Sequence, residues 1–155
     1  MTTVAAIRTV GLTKSFGATV ALRSLDLEVS EGEVLGYLGP NGAGKTTTIR
    51  CLLGMIRATA GQAEIFGVDA QAHPAEAHRR VAYVPGEANL WPGLTGSETL
   101  HLLGRVQDQA DLPYQEELVE RFKLDPSKKV RAYSKGNRQQ VLIRIELASR
   151  SVDPR

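Results

Sequence analysis

Leu25, Leu27 and Val29 alternate with Asp26, Glu28 and Ser30, the period of a β-strand with one face in water. Ser30-Glu31-Gly32-Glu33 reads as a turn. Val34-Leu35-Gly36-Tyr37-Leu38 then runs apolar without alternation, as a strand covered on both faces would. A glycine-rich turn follows, after which Ile49, Leu52, Leu53 and Ile56 fall at helical spacing. Short strands are expected over 63–66 and 81–84, the second ended by Pro85-Gly86. From Thr95 the period changes. Leu100, Leu103 and Val106 predict one helix, and Leu118, Val119 and Phe122 a second. Val141, Leu142, Ile145 and Ala148 fall on one face of a last helix that starts near Ser134. The pattern is that of an α/β core over residues 1–93, a helical insertion over 94–132, and a segment over 133–155 whose helix returns towards the core.

Composition narrows this picture without changing it. A chain of 155 residues suits one domain, and an apolar fraction of 42% permits a packed core. The net charge of +2 is close to balance and gives no nucleic-acid footprint, so no nucleic-acid partner is expected. Arg79-Arg80 and Lys128-Lys129 read as solvated surface. The single cysteine, Cys51, lies within an apolar helical pattern and reads as a small buried hydrophobe. A lone cysteine forms no disulfide within the chain, which fits a reducing cytosol. Residues 1–7 show no basic region followed by an apolar run. No apolar stretch approaches the ~20 residues that span a bilayer. The expectation is a soluble chain, or one that reaches a membrane through a partner.

Gly39-Pro40-Asn41-Gly42-Ala43-Gly44-Lys45-Thr46 fits G-x-x-x-x-G-K-[ST], between an apolar run and an amphipathic helix. Each residue type has a physical reason. The loop must turn backbone N–H groups onto anionic oxygens, and side chains at the glycine positions would obstruct that approach. A helix starting at Gly44 directs its unpaired N–H groups and positive dipole end at the phosphates. Lys45 supplies a mobile cation for the β- and γ-phosphates, and the Thr46 hydroxyl is placed for Mg²⁺. The expectation is an α/β fold of the P-loop NTPase type that binds a nucleoside triphosphate, MgATP first among them. No N-K-x-D motif favours guanine.

Extended through Thr47 and Thr48, the loop resembles that of ATP-binding cassette (ABC) transporter ATPases. Tyr133-Ser134-Lys135-Gly136-Asn137-Arg138-Gln139-Gln140 is similar to that family's signature, L-S-G-G-Q followed by R-Q. The resemblance implies N-terminal antiparallel strands, a helical insertion and further site residues. Phe16, in Leu12-Thr13-Lys14-Ser15-Phe16-Gly17, stands where the family places an aromatic ring on adenine; the alternative is that it packs in the core. Tyr83-Val84-Pro85-Gly86-Glu87 resembles the Q-loop, with Gly86 in place of the usual glutamine. Glu87 is then either a substitute for that side chain or a solvated loop carboxylate. Ser134 is a good N-cap for the helix after it. In the family this helix start, here Ser134, Lys135, Gly136 and Asn137, faces ATP held by the opposite subunit of a homodimer or heterodimer. The implied partners are a second ATP-binding subunit and a membrane-spanning permease, with the chain at the cytosolic face of the membrane. Pro-Gly-Glu together with Tyr-Ser-Lys-Gly-Asn resembles ATPases of bacterial drug- or antibiotic-type exporters.

In the family an apolar strand ending in Asp-Glu follows the signature helix, and a later histidine contacts the γ-phosphate. Here Ser151-Val152-Asp153-Pro154-Arg155 has no apolar run before Asp153, and His73, His78 and His101 all precede the signature. Leu25-Asp26-Leu27-Glu28 has suitable residue types but alternates like an exposed strand and precedes the loop, so it is no substitute. The expectation is a chain shortened in its C-terminal core, which keeps the phosphate cradle and hydrolyses ATP poorly or not at all alone. Apolar residues at 34–38 would then have an open flank. The other readings are a non-catalytic nucleotide-binding module that pairs with or regulates a full-length subunit, and a small-molecule kinase, against which the Ser134 motif counts.

Overall fold

The computed structural model describes residues 4–106, 121 and 124–148. The chain divides into two compact units, Met1–Val81 and Ala82–Arg155. In the first, β1 (Ile7–Phe16) and β2 (Thr19–Val29) form an antiparallel hairpin around a turn in which Gly17 has a φ of 56°. A third strand, β3 (Ala60–Ile65), pairs antiparallel with the other side of β1, and the two-residue β4 (Val68–Asp69) completes a sheet of order β2-β1-β3-β4. The alternation read in β2 holds: Val29 is buried, Leu25 and Leu27 are half-buried, and Asp26 and Glu28 face water. Their carboxylates serve the sheet. Asp26 accepts the Gly11 N–H at 2.6 Å, and Glu28 pairs with Arg8 at 3.9 Å.

Helix α1 (Lys45–Leu52) packs against this sheet, and α2 (Pro74–His78) lies beside β4. Leu12, Leu22, Cys51, Leu52, Ala63, Ile65, Ala70 and Ala77 make the core. Cys51 is fully buried, and burial raises its thiol pKa above the ordinary value, so it is the small hydrophobe expected. Helix α1 ends earlier than its apolar spacing suggests. Leu53 is its C-cap, and Ile56 packs from the following loop. The Gln71 amide fastens that end: Nε2 donates to Cys51 O at 2.6 Å and Ile56 O at 3.3 Å, while Oε1 accepts Ala58 N–H at 2.8 Å. One amide thereby bridges the last turn of α1 and the loop that follows it.

Two expected strands do not form. Residues 34–38 and 81–84 have no ladder partner among the described residues. An apolar run becomes a strand only where another strand accepts its hydrogen bonds. Val34 is 96% exposed and Leu38 91%, so residues 34–38 are not covered on both faces but show the open apolar flank.

In the second unit, α3 (Gly96–Val106) packs on α4 (Lys135–Ala148). Thr95 and Glu98 form a capping box at the start of α3: Thr95 N–H donates to Glu98 Oε2 at 2.7 Å, and Glu98 N–H to Thr95 Oγ1 at 3.2 Å. Leu100, Leu124, Val130, Tyr133, Val141 and Ile145 form the second core. The helix expected from Leu118, Val119 and Phe122 lies outside the described residues. Among the described residues no helix is long and apolar enough to cross a membrane.

Candidate functional site

Two groups of residues carry chemistry, one in each unit. In the first, the loop from Gly39 turns into α1 through glycines at 42 and 44, both with a φ of 85°. Gly44 is the helix N-cap and offers no side-chain cap. A Cβ there would stand 2.5 Å from Ala21 O and 2.6 Å from a Leu22 methyl, so sterics and backbone conformation both require glycine. The first turn of α1 contains no acidic residue. Its dipole end is therefore uncompensated and faces an anion favourably.

Lys45 bends back over the loop. Its ammonium donates to Gly39 O and to Pro40 O at 2.7 Å, and Ala43 N–H bonds Pro40 O at 3.2 Å. Pro40, Asn41, Gly42, Ala43 and the Thr46 residue beyond are open to solvent or nearly so, with Thr47 half-buried. The donor set fits a polyphosphate: exposed main-chain amides, one ammonium and one hydroxyl, with no carboxylate in the loop to repel it. Among the described residues no group of His, Cys, Asp and Glu is arranged to hold a metal ion by itself. A magnesium ion here would take Thr46 as its protein ligand and its other oxygens from the nucleotide and water.

Phe16 ends β1 in the same unit. It is 52% exposed, which removes the alternative that it packs in the core. Lys14 was not singled out by sequence reasoning, yet its Nζ stands 4.9 Å from the Phe16 ring centroid while donating to Arg57 O at 2.7 Å. A cation two residues from an aromatic ring was the available signal, although the register shift between Lys14 and Ser15 means that strand alternation alone does not place the two side by side.

In the second unit, Ser134 caps α4: its Oγ accepts the Asn137 N–H at 3.1 Å and its carbonyl accepts the Arg138 N–H at 3.1 Å. The first turn of α4 also lacks acidic residues. Ser134, Lys135 and Gly136 are exposed and Asn137 half-buried. Gly86 and Glu87 are exposed as well, and Gln139 Nε2 donates to the Gly86 carbonyl at 3.1 Å. That bond ties the Pro-Gly-Glu loop to the helix of the second motif. Glu87, Leu90, Pro92, Arg131, Lys135 and Arg138 line an open groove of about 380 Å³. Tyr133 is buried, its hydroxyl donating to Asp125 O at 2.6 Å.

The sequence and the fold have close counterparts. The family model described as ABC transporter matches residues 22–152. The daunorubicin/doxorubicin resistance ATP-binding protein DrrA of Streptomyces peucetius is 40% identical over 141 residues, covering 88% of this chain and 43% of that protein. The bacitracin transport ATP-binding protein BcrA of Bacillus licheniformis is 40% identical over 100 residues, 64% of this chain and 33% of the relative. A solved ATP binding subunit of an ABC transporter superposes with a TM-score of 0.77 at 28% identity, over 93% of this chain and 62% of that one. The chain thus spans less than half the length of the two relatives named. The P-loop NTPase core, with its antiparallel sheet and packed helices, is the one these proteins share. On its sequence, its fold and its matched residues, this chain belongs to the ABC transporter ATP-binding family.

Proposed function

We propose that this chain binds MgATP through residues 39–47 and serves as an ATP-binding subunit of an exporter for drug-like or antibiotic solutes. The observation that carries the reading is the first turn of α1. A left-handed glycine, an acid-free helix start and a flexible ammonium meet at one exposed loop. In this reading Phe16 stacks on the adenine, Lys45 moves from its own loop carbonyls to the phosphates, and Thr46 takes the magnesium. Ser134, Lys135, Gly136 and Asn137 address the nucleotide of a second ATP-binding subunit, identical or related. The groove beside Glu87 belongs to the half of the chain that would meet a membrane-spanning permease, which would hold the protein at the cytosolic face of the membrane. The export direction and solute class rest on the similarity to DrrA and BcrA, whose names give drug resistance and bacitracin transport.

The test is Lys45→Ala. Titration of the purified chain with a fluorescent MgATP analogue should show saturable binding, and the alanine variant should lose at least about tenfold in affinity, the scale of one charge-assisted phosphate contact. Binding indifferent to the substitution rejects the site.

A second reading is favoured by Gly86. It leaves no side chain where the family's Q-loop places a glutamine. Positioning and charge stabilisation supply most of phosphoryl-transfer catalysis. A polypeptide of residues 1–155 alone is therefore expected to act as a nucleotide-binding module with turnover well below the roughly 1 s⁻¹ of ordinary enzymes. Phosphate release measured on the purified chain decides this; turnover at or above that rate refutes it.

A further inference from the structure

We infer that Tyr37 and Thr48 are positioning residues for the phosphate loop, a hydroxyl pair that clamps its two ends together and sets its affinity for a nucleoside triphosphate. The inference rests on the nucleotide reading of residues 39–47. Tyr37 OH and Thr48 Oγ1 lie 3.1 Å apart, and Thr48 Oγ1 donates to Gly44 O at 3.1 Å. A hydroxyl has one proton. With the Thr48 proton on the Gly44 carbonyl, Tyr37 must be the donor to Thr48. The chain of bonds therefore runs Tyr37 to Thr48 to Gly44, from the segment before the loop to the residue at which α1 begins.

Both anchors of this chain are firm. Thr48 is 1% exposed, and its backbone N–H also donates to Gly44 O at 2.8 Å, so the Gly44 carbonyl accepts two bonds from one residue. Gly44 itself is wedged against Ala21 and Leu22 of β2. At the other end of the loop, Gly39 O and Pro40 O accept the Lys45 ammonium and Pro40 O accepts the Ala43 N–H, but the segment before Gly39 is held less firmly. Among the described residues, residues 34–38 make no ladder pairing and no backbone hydrogen bond, and the Tyr37 hydroxyl is their one side-chain hydrogen bond. Once the Lys45 ammonium leaves Gly39 O and Pro40 O for the phosphates, the span from Gly39 to Thr46 is fixed at its helical end by sterics, and the phenol is the one side-chain tie of the segment that leads into it. Main-chain amides can converge on a phosphate only if both ends of the loop hold their spacing. Removing either hydroxyl frees the leading end and spreads those amides over more conformations, a cost then charged to binding.

The test is a set of variants of the full chain, with MgATP affinity measured by calorimetry well below the melting temperature and folding followed by circular dichroism. Tyr37→Phe should weaken MgATP by about fivefold, the effect of one net hydrogen bond. Thr48→Val should weaken it by about fivefold to tenfold, and the double variant no further than Thr48→Val, because both substitutions cut one chain of bonds. Thr48→Ser keeps the oxygen and should hold affinity within about twofold of the unaltered chain. Should Thr48→Val fail to fold, Tyr37→Phe and Thr48→Ser still decide. A lower melting temperature with MgATP affinity unchanged in Tyr37→Phe overturns the inference, since a merely structural contact gives that result; so does a double variant whose losses simply multiply. Absence of MgATP binding by the unaltered chain instead overturns the nucleotide site, and this clamp with it.

Discussion

Phe16 shows how much one exposed side chain can contribute without stabilising the fold. Its ring leaves the end of β1 half in water with the Lys14 ammonium 4.9 Å from its centroid, an arrangement in which a phenyl ring gains little from burial. In the proposed site that surface is covered by a purine, and stacking of a base on an aromatic ring contributes about 1–3 kcal/mol. Phe16→Ala should weaken MgATP by about fivefold to a hundredfold. It should shift stability by no more than about 0.5 kcal/mol, as exposed substitutions do. Phe16→Tyr should restore the affinity. Nucleotide titration and thermal melts of the same samples separate the two effects, and parallel losses in both would reject a specific binding role for Phe16.

At the scale of the element, the start of α3 carries a pH dependence. The backbone N–H of Thr95, then its hydroxyl, hold the Glu98 carboxyl below the ordinary glutamate range. A carboxylate with a depressed pKa in the folded state stabilises above its unfolded value, and that stabilisation disappears as pH falls through the folded value. Asp125 has the same sign, chiefly through the Ser127 hydroxyl and N–H. The second unit should lose stability on acidification below the usual carboxylate range, and Glu98→Gln should flatten part of that loss. Melting temperatures between neutral and acid pH, compared for the two chains, check this; identical slopes would remove Glu98 from the account. The elements themselves were legible to different degrees. β2 declares its period because Leu25, Leu27 and Val29 are buried or half-buried while Asp26 and Glu28 stay in water; α4 buries Arg144 as well as Val141 and Ile145, so its packed side is not marked by apolar residues alone. β1 does not declare its period, because its pairings shift between Thr9 and Leu12 and again at Lys14 and Ser15, and each bulge breaks the alternation. The five residues of α2 and the two of β4 are too short to show any period. The phosphate loop and the Ser134 cap were readable because their chemistry is local. The Tyr37–Thr48 and Gln139–Gly86 bonds join positions 11 and 53 residues apart, and no local pattern encodes them.

For the whole molecule, the apolar residues left in water matter most. Val34 at 96% and Leu38 at 91% exposure flank the half-buried Tyr37 in a segment with unpaired main-chain groups, which is the description of a sticky edge. A purified polypeptide of these residues should self-associate as its concentration rises. Val34→Lys combined with Leu38→Lys should suppress this while leaving Lys45 and its loop in place. Light scattering against concentration gives the answer, and equal association in both chains would place the adhesive surface elsewhere. The relatives are more than twice as long as the aligned part of this chain.

The tie from Gln139 ends on a main-chain oxygen, not on a side chain. Nothing stands within 4 Å of where a Cβ at residue 86 would project. Position 86 is therefore free to vary chemically while its tether to α4 stays the same.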